Sequence, residues 1–251
     1  MITKTELKEI TGLTRLKIHQ QERHYIQTIV LSSIYSAISN ELIFKGGTSL
    51  FFVYNLNRFS NDLDFTLLRQ INKEKLINTI KKNLELISVM NDIDQLKETK
   101  IKISFRICAE GPLFTKDIEK CYINIEMSKR ETVENFEVKE IRPIYPDLLP
   151  FSIAVMTQEE IAAEKVRAIL MRNYARDVYD LCFLLQRGIK LSLSLINKKL
   201  SIYNKQFNKE DFIKKLNEKR EFWGAELNPL VIGNLLAFKE AKNLVVKNLD
   251  F

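Results

Sequence analysis

A chain of 251 residues with 45% hydrophobic and 28% charged residues is long enough to bury a core as one large or two modest domains, and its composition excludes wholesale disorder. Its 39 Lys and Arg against 32 Asp and Glu, a formal charge of +7, favour a polyanionic partner without requiring one. No apolar run approaches the roughly 20 residues needed to span a bilayer, and the opening MITKTELKEITG is charged and carries no signal-peptide core, so a cytoplasmic location with no membrane partner is expected.

Residues 5 to 13 and 16 to 39 carry helical patterns, the second with Ile26, Ile29, Val30, Ile34 and Ala37 on one stripe. The chain's two histidines, His19 and His24, fall in this polar N-terminal helix. Surface positions are expected for both, and a histidine triad or zinc site has little to draw on. Ser39, Asn40 and Glu41 break the pattern, Leu42 to Lys45 reads as a short strand, and Gly46-Gly47-Thr48-Ser49 follows. The glycines permit positive φ and close backbone approach. The apolar run Leu50 to Tyr54 predicts a helix of about two turns, whose free N-terminal N–H groups suit an anion. After a turn containing Arg58 and Ser60, Asp62-Leu63-Asp64-Phe65 opens a strand in which both aspartates share one face. Two carboxylates about 7 Å apart along a strand are hard oxygen donors that suit Mg²⁺ held jointly with phosphates. Asp92-Ile93-Asp94 has the same spacing without a glycine pair before it, and reads as a solvated helix end.

Residues 72 to 90 show a further helical stripe, with Leu76, Ile77, Ile80, Leu84 and Ile87. Lys100 to Ile107 and Cys121 to Met127 alternate polar and apolar residues, as half-buried strands do, and the second places Tyr122, Asn124 and Glu126 on its polar face. Cys108, Cys121 and Cys182 stand singly and read as buried free thiols. Pro143, Pro146 and Pro150 mark the expected boundary between domains of residues 1–145 and 146–251. Thr157 to Glu160 reads as a capping box opening a helix through about Asn173, and a second helix, Arg176 to Arg187, ends at Gly188. Lys165 and Arg172 fall on one helix face, and Asp177 or Asp180 on the next helix is placed to orient Lys165; the alternative is a salt-bridged surface pair. Residues 192 to 250 read as Lys-rich amphipathic helices, with Trp223 beside Lys219 and Arg220 and basic faces suited to nucleic acid.

The string KGGTSL followed by RFSNDLDF resembles the DNA polymerase β-like nucleotidyltransferase superfamily and, within it, the AbiEii-like toxins. The later stretch EEIAAEKVRAILMRNYARDVYDL is similar to that family's second signature. The resemblance implies an α+β fold, with an N-terminal nucleotidyltransferase domain built on a small mixed sheet flanked by helices and an all-helical C-terminal domain. It implies an enzyme that moves a nucleoside monophosphate from an NTP to an acceptor, foremost the 3′ end of tRNA, as the toxin of a toxin–antitoxin or phage-defence pair with a cognate antitoxin. On that reading Asp62 and Asp64 hold two Mg²⁺, with Glu126 as the third carboxylate, completing the metal shell or taking the acceptor's proton. Gly46, Gly47, Thr48, Ser49, Arg58, Ser60, Lys165 and Arg172 bind the nucleotide, and Lys165 and Asp177 join the catalytic set. Two alternatives stand beside it: a protein hydroxyl or small molecule as acceptor, or a catalytically inactive basic scaffold that binds nucleic acid.

Overall fold

The computed structural model describes residues 1–38 and 40–249; Ser39, at the expected helix break, and Asp250, at the end of the expected helical tail, lie outside the described residues. The chain forms two compact units. The first comprises Met1–Val53, Asn61–Thr132 and Phe136–Val155, and the second Tyr54–Ser60, Val133–Asn135 and Met156–Phe251.

In the first unit α1 (Lys4–Thr14) opens with a capping box: Glu6 N donates to Thr3 Oγ1 at 3.2 Å and Thr3 N donates to the Glu6 carboxylate at 2.6 Å. It stops where Arg15 turns left-handed at φ 61. α2 (Ile18–Ala37) is buried along most of its length, which explains why it carries buried polar residues, Gln21, Glu22 and Gln27, beside its apolar stripe. The sheet has seven strands, β1 (Leu42–Lys45), β2 (Leu63–Leu67), β3 (Asn91–Glu98), β4 (Lys102–Ala109), β5 (Cys121–Ser128), β6 (Phe136–Ile141) and β7 (Phe151–Met156), in the order β3-β4-β5-β2-β1-β7-β6. β1 runs antiparallel to β2 and parallel to β7, β2 parallel to β5, and β4 antiparallel to both β3 and β5. Two helices join these strands, α3 (Gly46–Tyr54) and α4 (Lys73–Leu86), the latter capped by Asn72, whose side chain accepts from Lys75 N at 3.0 Å. One face of the sheet, with Leu63, Phe65, Ile103, Phe105, Ile107, Ile123, Ile125 and Met127, is buried; the alternation that fills it leaves Asp62, Asp64, Asn124 and Glu126 on the other face.

Three expectations about this unit are corrected. Asp92 and Asp94 belong to the edge strand β3, not to a helix end, because pairing with β4 overrides the weak strand propensity of the run NDIDQLKE. There Asp94 accepts two hydrogen bonds from Arg106, at 2.9 and 2.6 Å. His24 is not a surface residue: it packs on Phe51 and Phe52, with Nδ1 2.6 Å from the Tyr145 hydroxyl, and burial pushes its pKa down to about 4. β7 lies beyond the proline segment and still pairs with β1, so residues 151–155 belong with the sheet.

The second unit is helical: α5 (Gln158–Met171), α6 (Ala175–Gln186), α7 (Leu193–Ser201), α8 (Lys209–Glu218), α9 (Trp223–Leu227) and α10 (Phe238–Lys247). Thr157 is the N-cap residue of α5 but makes no side-chain cap, and the expected capping box does not form. The buried Glu160 instead accepts hydrogen bonds from the backbone of Glu134 and Asn135 and pairs with the buried Lys199 at 2.5 Å. Trp223 and Lys219 are buried and offer no nucleic-acid surface: the indole meets Tyr179 and Phe238 and donates to Leu236 O at 2.8 Å, and Lys219 donates to Asn173. Cys121 and Cys182 are buried free thiols and Cys108 is half-buried. No helix among the described residues is long and apolar enough to cross a membrane.

Candidate active site

The two aspartates of the first motif emerge as β2 begins. α2 fixes the approach: Arg23 donates to Asn61 Oδ1 and Gln27 Nε2 to Asn61 O, both at 2.8 Å. From there Asp62 and Asp64 project on the polar face, each half-exposed, and Asn124 of β5 donates to Asp62 Oδ1 at 2.9 Å. The parallel register sets Glu126 directly opposite Asp64. Asp62, Asp64, Asn124 and Glu126 line one pocket of about 420 Å³, whose wall also includes Lys102 and Arg106. Glu126 makes an exposed pair with Lys102 at 2.5 Å, of the kind worth little in water, so its carboxylate is open to exchange for another partner.

The glycine pair does not form a loop ahead of α3; Gly46 and Gly47 are its first residues. Gly46 takes φ +78, and a Cβ built on it would stand 2.8 Å from Asp64 Oδ2. Only glycine lets the backbone turn there and lie against Asp64. Thr48 and Ser49 are fully buried. Thr48 donates to Asp62 O and Ser49 to Gly46 O at 2.9 Å, so both hydroxyls brace the loop and helix rather than face a nucleotide. Arg58 is likewise inside: it donates from Nε and Nη2 to the two oxygens of Asp180, both at 2.6 Å, with 1% of its surface exposed. Ser60 is half-buried.

The second motif forms one ion network. Lys165 Nζ lies 3.0 Å from Asp177 Oδ1 and 2.6 Å from Asp180 Oδ2, so both candidate acids engage it. α5 ends at Met171, and Arg172, in extended backbone, folds its guanidinium onto Asp177 at 2.7 and 2.8 Å. Burial alone would raise both carboxyls. Lys165 and then Arg172 overcome this for Asp177, and Arg58 and then Lys165 for Asp180, so both are held below the ordinary carboxylate range. Lys165 is buried, whereas the Arg172 side chain is half-exposed.

Arg23, Gln27, Asn124 and the pair Lys45–Glu131, at 2.6 Å and buried, are the supports that sequence reasoning missed. Lys45 stands opposite Asp64 in the β1–β2 register. Its signal was adjacency to Gly46; Arg23 and Gln27 were visible only as polar residues four apart on a mainly buried helix. Glu131 carried none.

As a metal site the donor set is all oxygen. Among the described residues no three acids, histidines or cysteines converge into a preformed cluster, and Glu126 pairs with Lys102. Two carboxylates opening into a polar pocket nevertheless fit a hard cation that brings water and phosphate ligands of its own.

A mixed sheet flanked by helices, with paired acids on its open face behind a glycine-led helix, defines the nucleotidyltransferase class of fold. The family model described as nucleotidyl transferase AbiEii toxin, type IV TA system, matches residues 29–243, and the chain belongs to that family. It is thus a nucleotidyltransferase toxin of a type IV toxin–antitoxin system, a family that uses an NTP, generally with a divalent metal, and is partnered by an antitoxin. Among solved structures the chain is similar to MenT4, a nucleotidyltransferase toxin of Mycobacterium tuberculosis H37Rv (17% identity, covering 100% of this chain and 89% of that one, TM-score 0.69). It is also similar to JHP933 of Helicobacter pylori (21% identity, 92% and 90%, TM-score 0.59). No curated protein matches it.

Proposed function

We propose that this toxin transfers a nucleoside monophosphate from an NTP to the 3′ end of tRNA in a Mg²⁺-dependent reaction, in the cytoplasm, as the toxic half of a phage-defence pair. The observation that carries the reading is the placement of Asp62 and Asp64 on the open face of β2 with Glu126 opposite Asp64. Asp62 and Asp64 would hold the divalent cations, which when bound supply charge neutralisation and polarisation of the phosphoryl oxygens. Asn124 orients Asp62, and Gly46 keeps the start of α3 close enough to Asp64 for backbone N–H groups there to meet phosphate. Glu126 accepts the proton of the acceptor hydroxyl as that oxygen bonds to the α-phosphorus and the bond to the β-phosphate oxygen breaks, releasing pyrophosphate. In the second motif Arg172, whose side chain is half-exposed while two of its nitrogens are held by Asp177, is the cation that would meet phosphate from its solvent side, and Lys165 anchors Asp177 in turn. The +7 charge supports an RNA acceptor over a small molecule.

The test is incubation of the protein with Mg²⁺, total tRNA and each α-³²P-labelled NTP in turn, beside Asp62→Ala, read on a denaturing gel. Label on tRNA with one or two NTPs, lost in the variant, is the expected result. Full transfer by Asp62→Ala would overturn the assignment of the site, and label on protein instead of RNA would overturn the acceptor.

A further inference from the structure

The excess positive charge is concentrated in the second unit, which holds eighteen Lys and Arg against thirteen Asp and Glu, five of the chain's seven net charges. Much of that charge is already neutralised: Lys165, Arg172 and Lys199 face buried carboxylates, and Lys198 and Lys215 pair with Glu134 and Glu218. Arg220, Lys239 and Lys242 differ. Together with Asn217 and Phe238 they line a pocket of about 520 Å³ formed where the end of α8 meets the start of α10. No acid lines it. Of the acids nearby in sequence, Glu218 pairs with Lys215, Glu226 meets Ala175 N and Arg176, and Glu240 accepts from Ala237 N; the exposed Glu221, next to Arg220, does not line the pocket. Among the described residues no carboxylate forms an ion pair with any of the three cations. The apolar part of the lining is Phe238, half-buried and held edge-on against Trp223, with ring centroids 5.4 Å apart.

Three uncompensated cations converging over an apolar floor match the chemistry of a nucleotide within a chain, with phosphates on both sides to meet the cations and a base to lie on the ring. We infer that this pocket is a docking site for the phosphodiester backbone of RNA. The volume accommodates a whole nucleotide, whereas the acidic side chain of a protein partner would leave the floor uncovered. The inference rests on the acceptor reading above only for the choice of RNA.

Its test therefore measures binding without transfer. Fluorescein-labelled total tRNA is titrated with Asp62→Ala protein, without NTP, over a range of salt, and compared in that background with two triple variants. One is Arg220→Ala, Lys239→Ala, Lys242→Ala; the other removes three exposed charges from the first unit, Lys8→Ala, Lys82→Ala, Lys116→Ala. Each lost phosphate contact removes about 0.7 to 0.9 from the slope of log affinity against log salt. The pocket variant should therefore show a slope shallower by about 2 and, near 0.1 M salt, affinity on the order of 100-fold weaker, with the control triple close to the parent. Melting temperature checks folding, and the single Lys239→Glu, at an exposed position, keeps the test open if the triple variant melts early. Equal loss in both triples, or none in either, overturns the inference. Duplex DNA bound as tightly as tRNA, with the same loss, overturns RNA as the occupant, and an acidic polyglutamate peptide bound more tightly than tRNA assigns the pocket to a protein. Tight pocket-dependent binding with no transfer to tRNA would uphold the pocket while refuting the acceptor.

Discussion

Asp180 offers the sharpest separation of structure from chemistry. Its carboxylate is fully buried and takes two hydrogen bonds from Arg58 and an ion pair from Lys165, all at 2.6 Å, with those cations 1% and 5% exposed. Asp180→Ala would leave Arg58 with only its hydrogen bond to Phe59 O among the contacts of its guanidinium, and Lys165 with Asp177 alone. Removing one partner of a buried ion pair costs about 3–5 kcal/mol. In a protein of this size each kcal/mol moves the melting temperature by about 2–4 °C, so a fall of roughly 6–20 °C is expected in a circular dichroism melt. Asp62→Ala, at a half-exposed acid, should change stability by no more than about 0.5 kcal/mol while abolishing transfer. Pairing Asp180→Leu with Arg58→Met should recover part of the loss, since the two residues share one interaction. The sign with pH follows: the folded pKa values of Asp177 and Asp180 are depressed, so their contribution is present above the unfolded value near 4 and is lost as pH falls below it. The Asp180→Ala protein should show a smaller acid-dependent loss. An Asp180→Ala protein melting within 2 °C of wild type, a margin of about 1 kcal/mol or less, would refute the reasoning.

Other consequences are equally open to measurement. Gly46→Ala forces a methyl to within van der Waals overlap of Asp64 at φ +78, so destabilisation of about 1–3 kcal/mol together with near-complete loss of transfer is expected from a melt and a gel assay. Glu126→Gln should lower kcat by about 10²–10⁴ through loss of the base with the KM for NTP little changed; an unaltered kcat would remove Glu126 from the chemistry. His24, held neutral by burial with a pKa of about 4, binds its proton more readily unfolded, so stability should rise between pH 4 and 6.5. That rise, on the order of 2 kcal/mol once partial exposure is allowed for, should flatten in His24→Leu, as followed by urea denaturation at each pH.

How much of this was legible beforehand depends on how local the determinant is. The period-2 alternation of residues 121–127 decided that Glu126 would share a face with Asn124, and the Asp-x-Asp spacing put Asp62 and Asp64 on one side of β2, because strand geometry assigns faces without reference to the rest of the fold. The family resemblance likewise rested on contiguous strings. What the sequence could not decide was burial and partnership across the fold. Arg58 and Asp180 are 122 positions apart and Lys45 and Glu131 are 86 apart; whether an arginine faces a ligand or a buried aspartate depends on which segments meet, and no local pattern encodes that. Thr157 and Glu160 carried the letters of a capping box, but two backbone amides and Lys199 drew Glu160 away. Asp92-Ile93-Asp94 read as a helix end until the edge of β4 supplied unpaired backbone groups for it to satisfy. Spacing along the chain thus determined which acids stand together, while only the tertiary structure decided which charges are paired in the interior, as at Arg58 and Asp180, and which, as at Asp62 and Asp64, keep a face toward solvent.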